Sequence, residues 1–220
     1  MTFSLKTQNR PLILAYVLTW VAAIWWLIKP YSFDELKVLD SLYGSAVWVG
    51  VTSIITLAIG ELIPQHVKLF LVYWKWSNPT PGCRAFSEVI HQDHRINGSQ
   101  IERSWGALPS DPIEQNRLWY QIYFSVREDV TVKDANRSYL LFRELATLTI
   151  FLLIVGTVLT LLLTRRADVA LIVGSIYILL YIVFAVACQQ SGYRLVANAL
   201  AVAAAGPSLQ KTTSTPAEES

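Results

Sequence analysis

Cys83, Glu88, His91, Asp93 and His94 place metal-ligating and acid–base side chains within one short polar stretch. Zinc and other transition metals take thiolate, imidazole and carboxylate donors of this kind. The spacing argues against such a site. Adjacent positions seldom aim at one ion, and His91 and His94, three apart, supply only two donors from one helical face. The third histidine, His66, falls beside an apolar run. The expectation is therefore no metal and no cofactor, with His91, Asp93 and His94 in a solvated turn. Cys83 follows Pro81-Gly82 and precedes Arg84, a setting that suits a reactive thiol. Nucleophilic chemistry also needs a base and an orienting group, and nothing in the spacing brings His91 or His94 to that role. No catalytic residue is expected.

Glu61 is the carboxylate at the end of an apolar run. The helix dipole disfavours a negative charge there, so a partner is expected from Lys68, Arg143 or Arg194. Acids inside membranes often couple protons; a side chain with its head in water is the simpler reading. Gly-rich phosphate loops, paired deep carboxylates and a Gly-x-Ser-x-Gly elbow are absent. Asn97-Gly98-Ser99 and Asn136-Arg137-Ser138 match the glycosylation pattern, by chance if this part of the chain is cytoplasmic.

The elements that carry these residues follow from composition. The 220-residue chain is 53% hydrophobic and only 15% charged. Soluble domains carry about 25% charged residues, so an ordinary soluble or disordered chain is excluded. A formal net charge of +2 gives no basic excess for nucleic acid. Two cysteines allow no disulfide framework. What remains is an all-α integral membrane protein.

A bilayer core takes roughly 20 apolar residues in a helix. Four windows qualify or come close: Pro11 to Ile28, Leu42 to Leu62, Leu145 to Thr164 and Val169 to Cys188. Trp25 and Trp26 end the first where an interfacial aromatic belt sits. Arg165-Arg166 leaves only a tight turn between the last two, so they form a hairpin. Small residues share faces at Ala46 and Gly50, at Gly156 and Thr160, and at Ala170 and Gly174, which are expected to pack helices closely. Four spans put both termini and the long middle segment on one side. All of the 18 Lys and Arg except Lys29, Lys37, Arg165 and Arg166 lie on that side, which makes it cytoplasmic.

The expected organisation is a first transmembrane pair (1–63), a cytoplasmic helical insert (64–137), a second transmembrane hairpin (138–188), a short C-terminal helix (189–206) and a disordered tail (207–220). The insert opens with a juxtamembrane amphipathic helix. Pro64 starts it, Val67, Phe70, Leu71 and Trp74 form one face, and Lys68 and Lys75 the other. Ser77 to Gly82 breaks the chain. Phe86, Val89 and Ile90 then share a face, as do Ile101 and Trp105. Asp111-Pro112 starts a helix with an apolar stripe of Leu118, Trp119, Ile122, Tyr123 and Val126. The next helix begins near Val130 and runs unbroken into the third span.

Pro81-Gly82-Cys83-Arg84-Ala85-Phe86 and Gln115-Asn116-Arg117-Leu118-Trp119-Tyr120-Gln121-Ile122-Tyr123 resemble a pattern of uncharacterised bacterial multi-span membrane proteins. The resemblance implies a bacterial inner membrane and carries over no activity.

Three functions compete. The preferred one is a non-enzymatic, homo-oligomeric sensor, effector or scaffold, by analogy with small membrane proteins of phage defence or envelope stress. Its insert would bind a cytoplasmic protein or signal through Arg84, Trp105, Trp119, Tyr120 and Tyr123. The second is an oligomeric channel or transporter, lined by Thr52, Ser53, Thr56, Thr160 or Ser175. The third is a membrane-surface enzyme using Cys83, His91, Asp93 and His94.

Overall fold

The computed structural model describes residues 5–28 and 42–206. The described residues are mostly helical, with no strand among them. The expected disordered tail lies outside them. Three helices come first: α1 (Leu5–Ile28), α2 (Leu42–Leu62) and α3 (Gln65–Tyr73). A 3-10 turn (Pro81–Arg84) runs into a π turn (Ala85–Val89) and a short α4 (Ile90–Gln92). Then come α5 (Gly98–Trp105), α6 (Pro112–Val126), α7 (Val130–Thr164) and α8 (Ala167–Ala205).

Helices α7 and α8 have 35 and 39 residues and are long and apolar enough to cross a membrane. Their outward faces are apolar too: Ile154, Leu171 and Leu179 are each at least 60% exposed. Such surface suits lipid, not water. The two helices meet at a turn with Arg165 in the left-handed region at φ 54°. The chain is a helical membrane protein.

Contacts divide the described residues into two compact units. One draws on Met1–Trp74 and Leu140–Cys188, the other on Lys75–Tyr139 and Gln189–Ser220.

In the first unit, α2 and α3 turn through 97° at Ile63-Pro64. Pro64 lacks an N–H and sits extended at φ −61°, ψ 149°, which stops one helix and starts the next. α1 starts at Leu5 and carries Pro11 inside it, so it begins six residues before the expected apolar window. Gly156 lies where an added Cβ would come within 3.0 Å of Ile24 and 3.4 Å of Tyr177. It lets α1 and α8 close on α7. Gly174 stands likewise against Thr157, and Ala170 is buried. Thr160 is fully buried, its hydroxyl donating to the Gly156 carbonyl oxygen four residues back. Such back-bonding satisfies a hydroxyl that faces no water. Of the two expected packing residues of α2, one is described and makes no close contact. Nothing lies within 4 Å of a Cβ on Gly50, and the Ala46 side chain is outside the described residues. Gly60 takes the close contact instead: an added Cβ there would come within 2.7 Å of Leu148 Cδ2. Small residues mark where close approach is possible. Which of them is used depends on where the partner helix crosses.

The second unit has its own core of Ala85, Phe86, Val89, Ile90, Ile101 and Ile122, closed by Val196, Ala197 and Leu200 of α8. The short C-terminal helix expected over 189–206 is therefore the last part of one unbroken α8. No proline interrupts Ala167–Ala205, and buried Gly192 is carried within the helix. The alanine-rich end buries small side chains against the core. The juxtamembrane helix also differs from expectation: α3 belongs to the first unit, not to the insert.

Candidate functional site

Cys83 is buried at the 3-10 turn, its Sγ 3.3 Å from Thr80 Oγ1. His91 and His94 are exposed. Asp93 is held by Arg95: Oδ1 accepts from the Arg95 backbone N–H and from Nε at 3.0 Å, and Oδ2 from Nη2 at 2.6 Å. Arg95 Nη2 also donates to Asn198 Oδ1 at 3.0 Å, which ties this turn to α8. Asp93 thus orders a loop. Among the described residues, no three His, Cys, Asp or Glu side chains gather into a metal-binding group.

The Arg95 hydrogen bonds hold the Asp93 carboxyl below its usual range. A lowered folded pKa gives stability that is full above the unfolded value of about 3.9. It disappears as the pH falls through the folded value. The pair is largely exposed, so its worth is a few tenths of a kcal/mol. Asp93→Asn should lower the midpoint of thermal unfolding by about 1–2 °C at pH 7. The gap between variant and parent should narrow at the acid end, and a constant gap from pH 7 to pH 3 would remove Arg95 as its cause.

The aromatic residues proposed for partner contact divide into packed and exposed members. Trp105 and Trp119 pack against the second unit's core. Trp119 stacks on Tyr123, ring centres 5.5 Å apart at 23°. Burial and the neighbouring Tyr120 raise the Tyr123 pKa, and its hydroxyl accepts from Asn136 Nδ2 at 2.9 Å. Arg84 lies over the Tyr193 ring and pairs with Glu88 at 3.6 Å. Four of the five therefore have internal work. Tyr120 is 56% exposed, and two residues the sequence reading passed over lie on its face: Ile113 (60%) and Phe124 (53%). With Arg117 they fall at i, i+4, i+7 and i+11 of α6. Arg127 covers the Phe124 ring at 3.9 Å. The missed signal was an apolar residue recurring on both faces of one short helix.

The two stretches that carry the resemblance meet in this unit. An added Cβ on Gly82 would strike Asn116 Oδ1 and come within 2.8 Å of Trp119 Cε3. Gln115, 1% exposed, accepts at Oε1 from the Phe86 and Ser87 backbone N–H groups at 3.1 and 3.2 Å. Thr80 Oγ1 donates to Asn116 Oδ1 at 3.2 Å. These contacts make the paired stretches a packing unit.

The first unit holds a buried ionic group. Lys68 Nζ donates to Glu144 Oε2 at 2.5 Å, and Arg143 Nη2 to Glu144 Oε1 at 2.9 Å. All three residues are less than 9% exposed. Lys68 therefore does not line the polar outer face of α3, and Arg143 and Glu144 do not reach out to water. Lys68 and Arg143, two of the three partners expected for Glu61, both donate to Glu144. An interior carboxylate attracts cations more strongly than an exposed one. Trp74 Nε1 donates to Tyr181 Oη at 2.8 Å, and that hydroxyl donates to the Leu71 carbonyl at 2.5 Å, which fixes α3 beside α8. No family model matches the chain, and neither a curated protein nor a solved structure is detectably similar to it.

Proposed function

We propose that this chain is a non-enzymatic scaffold, sensor or effector of a bacterial inner membrane. It works as an oligomer of four-span subunits, with both termini and the second unit in the cytoplasm. That unit binds a protein partner through the outer face of α6. The observation that carries the reading is the ordered, outward-facing row of Ile113, Tyr120 and Phe124 beside Arg117. Exposed aromatics backed by a packed core are the residue type that dominates protein interfaces. Two hydroxyls of the first unit are satisfied within their own helices: buried Thr160 donates to the Gly156 carbonyl and exposed Ser175 to the Leu171 carbonyl. Thr160, fully buried, favours packing over a water-lined pore at that position. The open face around Gly50, with exposed Val47, Val51 and Ile54, supports self-association.

Tyr120→Ala/Phe124→Ala tests the reading. Both side chains are exposed, so the variant should fold as the parent does. After cross-linking in intact cells, the parent should show heteromeric adducts that the double variant loses by about tenfold. Unchanged adducts in the variant would remove α6 as the partner surface. A dye that follows membrane potential, read in the same cells, separates a scaffold from a conducting effector.

A further inference from the structure

Tyr177 is 1% exposed, and its hydroxyl has no hydrogen-bond partner among the described residues. An unmet buried hydroxyl is costly, most of all in lipid, where no water replaces the missing partner. Tyr177 lies about 15 Å along α8 from Ala167, at a rise of 1.5 Å per residue. That depth is the middle of a bilayer core about 30 Å thick. The same side chain lines a cavity of about 230 Å³ between α1 and α8. Ile24, Leu27 and Val173 form apolar walls. Trp20 adds an aromatic wall, its ring centre 5.4 Å from that of Tyr177. An apolar cavity of about 150 Å³ holds benzene, so this one has room for a substituted ring. A water would need two to four polar partners. The polar side-chain atoms that the lining residues carry are the Tyr177 hydroxyl and the indole N–H groups of Trp20 and Trp26. An indole only donates, and a hydroxyl can donate. The cavity is therefore rich in donors and poor in acceptors, which suits a carbonyl oxygen better than a water.

We infer that this cavity seats the ring of a lipid-soluble quinone. One ring carbonyl accepts from the Tyr177 hydroxyl. The flat ring lies beside the Trp20 indole, where aromatic rings attract each other in offset or edge-on arrangements. The apolar tail leaves past Ile176 and Trp26, both exposed, into the lipid. The ester carbonyls of a phospholipid stay at the edge of the hydrocarbon core, too shallow for Tyr177. Binding is reversible and moves no electrons. The assignment rests on the chain being embedded in lipid and is independent of the α6 partner surface.

The test uses the full chain in detergent with two probes. Decylubiquinone is a benzoquinone with a ten-carbon tail; decylbenzene keeps the ring and tail and lacks the carbonyls. A ligand of the folded state raises the midpoint of thermal unfolding, followed by helix signal, and its concentration dependence gives Kd. At about a hundredfold excess over Kd, decylubiquinone should raise the parent's midpoint by about 5–10 °C. Decylbenzene at the same concentration should raise it by less than half as much. Tyr177→Phe keeps the ring and loses the hydroxyl. Without ligand it should unfold at or above the parent's midpoint, because it removes a buried group that has no partner. Its Kd for decylubiquinone should rise about tenfold, the loss of one good hydrogen bond. Ala23→Phe fills the cavity from an exposed position and should abolish the shift. If Ala23→Phe does not fold, Tyr177→Phe still decides the matter. Equal shifts from the two probes would mean a site for apolar groups only and would overturn the proposal. So would an unmoved parent, or an undiminished affinity in Tyr177→Phe. None of these results would touch the cross-linking outcome for Tyr120 and Phe124.

Discussion

Glu144→Ala should cost the folded chain about 3–5 kcal/mol, the usual penalty for breaking a buried ion pair by removing one partner. The reason is what stays behind. Lys68 and Arg143 both donate to this carboxylate, and both are less than 9% exposed. Without it, Lys68 loses the carboxylate it donates to and keeps the Arg143 cation as a buried neighbour. Lys68→Ala should cost less, because Arg143 still pairs with Glu144. The order therefore tests the arrangement better than either value alone. Unfolding of the detergent-solubilised chain, followed by helix signal against denaturant, should place Glu144→Ala below Lys68→Ala, with both below the parent. Lys68→Met/Arg143→Met/Glu144→Leu removes all three charges and should recover most of the loss, since apolar replacements of buried ion groups are often neutral or stabilising. A Glu144→Ala variant within 1 kcal/mol of the parent would mean that water reaches the group and screens it.

Several helix boundaries were legible locally. Asp111 accepts from the Ile113 and Glu114 N–H groups, and Pro112 opens α6, as their order in the chain predicts. α2 spans Leu42–Leu62 as the apolar window does, and α7 begins at Val130 and ends at Thr164. These boundaries are set by nearest neighbours, so one stretch of sequence suffices to read them. Lys68 is different. Its apolar neighbours assign it to a solvent face, but a carboxylate 76 positions away draws it inside. Periodicity reports the average polarity of a helix face and says nothing about a distant charge. Gly50 and Gly60 fail for a related reason. Both are small residues on one helix, and only the crossing point of α7 selects Gly60. The same limit applies to the candidate chemistry. Asp93 looked like a ligand by type, yet Arg95, two residues on, already uses both of its oxygens. The end of α8 looked like a separate helix because its composition changes at Tyr193, while its backbone continues unbroken.

Gln115→Leu should destabilise the chain by about 2–4 kcal/mol, although Leu is close in size and the site is almost fully buried. A side-chain amide oxygen here does the work of a helix cap. The π turn over Ala85–Val89 opens with backbone N–H groups that its own carbonyls cannot reach. Gln115 Oε1 accepts from two of them, at Phe86 and Ser87, and from the Ser87 hydroxyl at 3.3 Å. Its Nε2 donates to the Ser110 carbonyl at 2.9 Å, which holds the side chain in place. Leucine leaves the buried Phe86 N–H unmet, at about 1–3 kcal/mol for a buried unsatisfied group, and the part-buried Ser87 N–H adds a smaller cost. Ser87→Ala removes only the hydroxyl contact and should cost less than about 1 kcal/mol. Gln115→Glu keeps the acceptor and loses the donor to Ser110, so it should fall between the two. Hydrogen exchange gives the site-specific readout: the Phe86 and Ser87 amides should lose protection in Gln115→Leu before the rest of the unit does. Uniform loss across the unit would assign the effect to packing instead. Gln115 opens the stretch Gln115–Tyr123, and Phe86 closes the stretch Pro81–Phe86. The two stretches are thus joined by two backbone N–H groups that share one amide oxygen.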